Sequence, residues 1–435
     1  MNLYKGVFNY WRLKQRSVLV ILFLGSLFLL LGRFYVTRSV AGGDAVYYYI
    51  TLRSLVIDRD LNFANEYHHF ANTISPFTGN PKIRKIPKPT ITGRLPNKYP
   101  IGSAILLSPF FALAHLLALA LKAVGVPLSA DGYGTIYQLS AGIGSLIYGF
   151  AGLLLIFLLG RRLYEPKDSL LSTSFILLAT PLIYYLTMEP LMSHSLSFFV
   201  ISLFIFLWYH LRKKGRVYHF ALLGAIGGLA GIVRYQDGFF LLIPVIDLVI
   251  LSFRRRRDEV LLFARYGLRL AMFIFGAVLA LLPQLYVNRV LYGSFFTTGY
   301  AGESFPYWKM PKLLYTLFSP ASGLILWSPI IAFSLVGLLF LSRRDRLFGS
   351  LLFFAFLAQW YLVSSWWSPD QGDSFGNRML LNCIPIFAFG LMELFHRIKK
   401  REGLYKTVLI LSFLFVLING VLAGLYCFRI IGNPY

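Results

Sequence analysis

Residues 101–121, IGSAILLSPFFALAHLLALAL, are long and apolar enough to cross a bilayer, yet the rest of the chain argues that they do not. A hydrocarbon core about 30 Å thick takes roughly 20 apolar residues per helix. Comparable runs recur at 17–31, 135–160, 169–187, 191–211, 218–233, 238–252, 266–287, 321–341, 347–364, 379–395 and 407–428. If all of them and 101–121 crossed, starting from a cytoplasmic N-terminus, five basic clusters would face outward: Arg161-Arg162, Arg212 to Arg216, Arg254 to Arg257, Arg343 to Arg346 and Arg397 to Arg401. That contradicts the accumulation of Lys and Arg in cytoplasmic loops. Residues 101–121 contain Pro109, His115 and two serines and are followed by Lys122. Read as a helix in the outer interface or re-entering the bundle, they restore the parity.

This reading gives an all-α polytopic membrane protein of about eleven transmembrane helices, a single transmembrane domain over residues 1–435 with no separate soluble domain. Of 435 residues, 57% are apolar and 14% charged, which excludes an ordinary soluble protein; continuous apolar runs exclude a membrane barrel, whose strands alternate. Lys and Arg exceed Asp and Glu by 42 − 18 = 24. The excess is topological, and no nucleic-acid partner is expected: 25 of the 42 basic residues face the cytoplasm, Arg33 sits in the first span and 16 lie outside. The first run, Ser17 to Leu31, is expected to be an uncleaved anchor, although Ser39-Val40-Ala41 resembles a signal-peptide cleavage site. The expected location is the cell (cytoplasmic) membrane, multi-pass, with a cytoplasmic N-terminus and an extracytoplasmic site. Gly224 with Gly228, and Gly227 with Gly231, have the GxxxG spacing of close helix packing, and Cys383 and Cys427 read as packing residues.

The same assignment places the first outer loop at about 37–134, with interfacial helices, the second at about 288–320 and a late aromatic loop at about 365–378. Loops this long are usually functional or disordered. Asp44 follows Gly42-Gly43 just beyond the first span and precedes an amphipathic stretch containing Tyr47; it reads equally as an N-cap and as a carboxylate at the water–lipid boundary. Lys98, in NKYPIG, stands directly before the interfacial helix, within reach of a lipid phosphate. Arg378 begins an otherwise apolar helix, where a guanidinium is costly unless paired and suits phosphate or carboxylate. Arg234 and Asp237, in RYQDG, are expected to neutralise one another, and Glu189 with His194 to do the same. Glu66, His68 and His69 match no strong metal pattern. No GxxxxGK[ST], HExxH or GxSxG occurs.

A boundary carboxylate, two phosphate-binding cations and aromatic surfaces fit transfer from a lipid-linked phosphate. A sugar on a polyprenyl phosphate already carries a good leaving group, so one base and charge-stabilising cations suffice. Three stretches carry a resemblance: GDAVYYYITLRSLVIDRDLNFANEY (43–67), GRLPNKYPIGSAILLSPFF (93–111) and WWSPDQGDSFGNR (366–378). Together, in this order, they resemble the GT-C superfamily of membrane glycosyltransferases, in particular the family-39 and family-83-like protein O-mannosyltransferases and aminoarabinose transferases. The resemblance implies an inverting transfer from a polyprenyl-phosphate-linked sugar to a cell-envelope acceptor, whether glycan, lipid or protein. It implies Asp44 as the catalytic base or a group orienting it, and Lys98 and Arg378 as donor-phosphate ligands. Tyr47, Glu66, Trp367 and Asp373 are the expected substrate contacts. The family often has a second carboxylate beside the first, where Ala45 stands here; Glu66 and Asp373 are candidates to replace it. A divalent cation is compatible with the set. The competing readings are a transporter or flippase of a lipid-linked sugar and a noncatalytic envelope scaffold.

Overall fold

The apolar runs fold as helices throughout the computed structural model, described over residues 2–75, 79–254, 260–300 and 302–431. Pro76, and Arg255 to Arg257 of the expected inner cluster, lie outside the described residues. The chain runs through α1 (Asn2–Thr37), then α2 (Ala45–Arg53), α3 (Ala64–Ala71) and α4 (Gly102–Ala123). The central bundle follows as α5 (Thr135–Leu163), α6 (Pro166–Leu178), α7 (Leu182–Thr187), α8 (His194–Lys214), α9 (Val217–Val233), α10 (Leu242–Arg254) and α11 (Val260–Tyr292). The last third holds α12 (Leu313–Phe318), α13 (Leu324–Trp327), α14 (Ile330–Arg344), α15 (Arg346–Ser365), α16 (Ile384–Ile398) and α17 (Glu402–Cys427). Among the described residues the extended structure amounts to one isolated bridge between Ile74 and Pro81.

Among the described residues, nine helical segments are long and apolar enough to cross a membrane. Eight coincide with expected spans, and the ninth is α4. The other three expected spans are short or broken, two of them at a proline. Pro181 interrupts 169–187 between α6 and α7, Pro329 interrupts 321–341 between α13 and α14, and Val217–Val233 has the length of an apolar helix below the spanning threshold. Proline removes a helical donor and biases the residue before it out of the helical region.

Both ends of α4 connect to segments held at one end of the bundle. Its start packs on the last residues of α9, where a Cβ on Gly102 would lie 2.5 Å from the Ile232 carbonyl, and the Ile101 amide donates to Gln284 Oε1 at 2.8 Å. The loop leaving α4 returns to α2, with Arg53 Nε donating to the Asp131 carbonyl (2.8 Å) and Tyr49 to that of Gly132 (2.6 Å). Between these ends α4 lies over the first half of α5, through Phe111 on Tyr137 and Ser140 on the Phe110 carbonyl. Pro109 frees the Ile105 carbonyl, and the Ser108 hydroxyl satisfies it at 2.8 Å.

The tightest packing uses the glycines. A Cβ on Gly224 would lie 1.9 Å from the Phe273 carbonyl oxygen, and one on Gly276 1.9 Å from that of Ala221, so α9 and α11 meet backbone to backbone. Gly337 and Gly390 do the same for α14 and α16. Of the cysteines, Cys383 is buried and Cys427 is exposed.

Candidate functional site

The long loops gather at the end of the bundle that carries α2. Asp44 occupies the N-cap position of α2 but makes no capping hydrogen bond; its Oδ2 lies 3.3 Å from Arg378 Nη1. An N-cap carboxylate ordinarily accepts from the first-turn amides. Here it is spent on a distant arginine instead, with 36% of the Asp44 side chain and 20% of the Arg378 side chain exposed.

Arg378 is fixed by the late loop. Its Nη2 donates to the Gln371 carbonyl (3.0 Å), and the Gln371 side chain accepts from the Met379 amide (3.0 Å). Gln371 has φ +64° and Gly376 φ +60°, and a Cβ on Gly376 would stand 2.7 Å from Pro181, so glycine is needed where this loop turns beneath α7. Asn377 caps the 3-10 turn Arg378–Cys383 and ties it to the Thr316 carbonyl.

Lys98 is set by its neighbour Asn97, whose amide donates to the Tyr47 carbonyl (2.8 Å) and Thr51 Oγ1 (2.9 Å), while Tyr292 holds the Asn97 carbonyl (2.8 Å). The ammonium meets Glu303 Oε1 at 2.6 Å, and Glu303 Oε2 accepts from Trp367 Nε1 at 3.2 Å. The rings of Tyr99 and Tyr300 each lie 5.5 Å from the ammonium. The second long loop comes this close because position 299 is glycine: a Cβ there would be 2.3 Å from Lys98 Cα.

Tyrosines join the two halves. Tyr99 packs on Tyr48 (4.6 Å between centroids) and on Tyr47 (5.7 Å). The Tyr48 hydroxyl bonds Ser193 at 2.8 Å. Burial, chiefly, pushes the Tyr48 phenol up to about 12 and raises Tyr99, with the Asp44 charge adding to both.

Asp44, Arg378, Lys98, Tyr47 and Trp367 therefore share one end of the bundle, with Tyr99 between the two ion pairs. Asp373 lies at its edge, accepting from Tyr426 at 2.6 Å. Glu66 belongs to the core of the first loop: it is fully buried and accepts from Arg53 Nη1 at 2.6 Å, beside Asp58. Burial pushes Glu66 up to about 7 against the pull of Arg53. His69 stacks on Tyr133, and among the described residues no cluster of three His, Cys, Asp or Glu could hold a metal ion.

Three residues gain an importance that their sequence context does not convey. Glu189, between α7 and α8, is pushed up to about 7 by burial; Arg378 opposes the shift and Asp44 adds to it, which places its charge in the same field. It accepts from the Tyr184 hydroxyl at 3.4 Å and not from His194. Glu303 is the counter-ion of Lys98. Arg234 does not pair with Asp237, which accepts instead from Ser197 (2.5 Å) and Asn382 (2.8 Å); Arg234 meets Gln236 Oε1 at 3.3 Å, and its Nη1 is buried with no hydrogen-bond partner among the described residues. A carboxylate in a short turn between apolar runs was the available signal for Glu189. The partners of Lys98 and Asp237 lie 205 and 145 residues away in sequence, beyond local reading.

No protein-family model and no curated protein sequence matches the chain. Solved structures share its fold. Against apo ArnT from Cupriavidus metallidurans the TM-score is 0.51 with 13% identity, covering 89% of this chain and 61% of that one. Against the apo oligosaccharyltransferase of Archaeoglobus fulgidus it is 0.51 with 13% identity, covering 95% of this chain and 56% of that one. The chain thus spans less than two thirds of either protein's length. Both are GT-C glycosyltransferases, and the chain has their polytopic helical fold.

Proposed function

We propose that this protein is an integral-membrane glycosyltransferase that moves a sugar from a polyprenyl-phosphate donor to a cell-envelope acceptor, with inversion, at the extracytoplasmic face of the cytoplasmic membrane. The observation that carries the reading is Asp44, an N-cap carboxylate that does not cap and faces Arg378 at 3.3 Å. Lys98, with Trp367 beside its counter-ion, supplies a second cation on the same face. The GT-C fold supports the reaction class.

In this mechanism the acceptor hydroxyl attacks the anomeric carbon while Asp44 takes its proton. The bond from that carbon to the phosphate oxygen breaks, and polyprenyl phosphate leaves with the electron pair. Arg378 and Lys98 stabilise the charge that develops on it, exchanging Asp44 and Glu303 for phosphate oxygens. Attack opposite the leaving group inverts the configuration. Ala45 leaves no adjacent acidic pair, and Glu189, whose carboxyl feels the charges of both Arg378 and Asp44, serves in its stead. Tyr47, Trp367 and Asp373 line the approaches for sugar and acceptor, and Glu66 supports the first loop from within. The N-terminus is cytoplasmic, and α4, whose two ends return to the site, lies in the outer interface.

The test is turnover by purified protein in nanodiscs, given polyprenyl phosphate carrying a labelled sugar and a crude envelope-acceptor fraction. Wild type should release polyprenyl phosphate in an acceptor-dependent manner, and Asp44→Asn should lose at least about 100-fold of that rate with its melting temperature retained. Full activity in Asp44→Asn would overturn the assignment.

A further inference from the structure

Two helices at the site open with 3-10 turns, Tyr235–Leu241 and Arg378–Cys383, and each turn follows or begins with an arginine, Arg234 and Arg378. Beneath them lies a chain of polar side chains in a region otherwise filled by apolar packing. Gln236 Nε2 donates to the Met379 carbonyl (2.6 Å), and Gln236 Oε1 accepts from Arg234 Nη2 (3.3 Å). Gln359 Nε2 donates to the Gln236 carbonyl (2.8 Å), and Gln359 Oε1 accepts from Asn382 Nδ2 (3.0 Å). Asn382 and Ser197 together occupy both oxygens of Asp237. Asp237, Asn382, Ser197 and Gln359 are all essentially inaccessible.

Polar groups in a membrane interior are costly and associate helices only modestly, and the glycine seams already pack this bundle without them. The arrangement has a consequence that helix association does not need. Because neutral donors satisfy Asp237, the carboxylate does not close on Arg234, and that guanidinium keeps its charge and one bare nitrogen. Because Gln236 bonds both Arg234 and the carbonyl next to Arg378, the two arginines are held in fixed register. Both charges reach the Tyr48 phenol.

Resting on the donor reading above, we infer that the Gln236–Asp237–Gln359–Asn382 network is a positioning device that keeps Arg234 unpaired and in register with Arg378, so that one lipid-linked phosphate engages both guanidinium groups. Gln236 is then a positioning residue, and Arg234 is the cation that accepts phosphate without first giving up a carboxylate.

The experiment measures binding of polyprenyl phosphate to the full chain in nanodiscs, together with ligand-free melting temperature and the kcat and KM of transfer. Gln236→Met keeps the side-chain length and removes the amide. It should weaken binding about tenfold, as expected when a hydrogen bond to a charged group is lost, and raise KM more than it lowers kcat. Gln236→Glu should weaken binding as strongly, because the new carboxylate neutralises Arg234. Arg234→Gln, which leaves the buried network in place, should reproduce the loss with an unchanged melting temperature and so covers the case of a Gln236 variant that folds poorly. Wild-type binding left unchanged by Gln236→Met or by Arg234→Gln would overturn the inference alone. A wild-type protein that binds no polyprenyl phosphate would overturn the donor reading and the inference together.

Discussion

At the scale of single residues, the site is a set of charges whose local roles have been declined. Asp44 sits where an N-cap belongs and does not cap, and Asp237 sits three residues from Arg234 and does not pair with it. Glu189 gives this its clearest solution signature. Burial, against Arg378 and reinforced by Asp44, pushes its carboxyl up to about 7, from an ordinary value near 4.5. If Glu189 shares the proton-accepting role, transfer should rise with pH through about 7, where the carboxyl ionises. Glu189→Gln should flatten that limb and lower the plateau about tenfold; a pH–rate profile of kcat/KM with the limb intact would remove Glu189 from the mechanism. The stability effect has the opposite sign. A folded-state value above the unfolded one means a contribution complete below about 4.5 and lost as pH rises through about 7. Lys98 and Arg378 are legible in the sequence because cations bordering apolar helices demand a reason. Their counter-ions are not, since which carboxylate reaches which cation depends on how segments far apart in the chain are brought together.

At the scale of elements, periodicity and apolar length locate the spans well and their interruptions poorly. The runs 169–187 and 321–341 look continuous by composition, yet Pro181 and Pro329 divide them; hydropathy reports what a segment avoids, and backbone donors decide where it bends. The α9–α11 seam was readable because GxxxG spacing puts two missing side chains on one face. Only the structure separates the two overlapping pairs: Gly224 and Gly228 face α11, while Gly227 meets Leu241 and Phe204. Gly224→Ala would push a Cβ to 1.9 Å from the Phe273 carbonyl, forcing the helices apart at a cost of about 1–3 kcal/mol. Gly420→Ala on α17, with nothing within 4 Å, should be silent. Thermal unfolding in detergent compares them directly, and equal melting temperatures would mean the seam tolerates separation.

At the scale of the whole molecule, the proposed orientation and the proposed site draw on the same population, 42 Lys and Arg. A cysteine introduced by Lys214→Cys, in a chain with Cys427 replaced, should resist a membrane-impermeant maleimide in intact cells, and one introduced by Lys88→Cys should react. The reverse pattern would invert the orientation. Counting spans alone could not yield this, because α4 has the composition of a span while its start packs on the end of α9 and the loop that follows it bonds Arg53 of α2. The pairing of Lys98 with Glu303 and of Arg378 with Asp44 has one more consequence, for turnover. Two of the site's cations rest against carboxylates, and under the proposed function a lipid phosphate would reach them by trading places with carboxylates that remain tethered nearby. After the proposed transfer the same carboxylates would compete for Lys98 and Arg378, so the protein would carry its own displacing agent for the spent lipid.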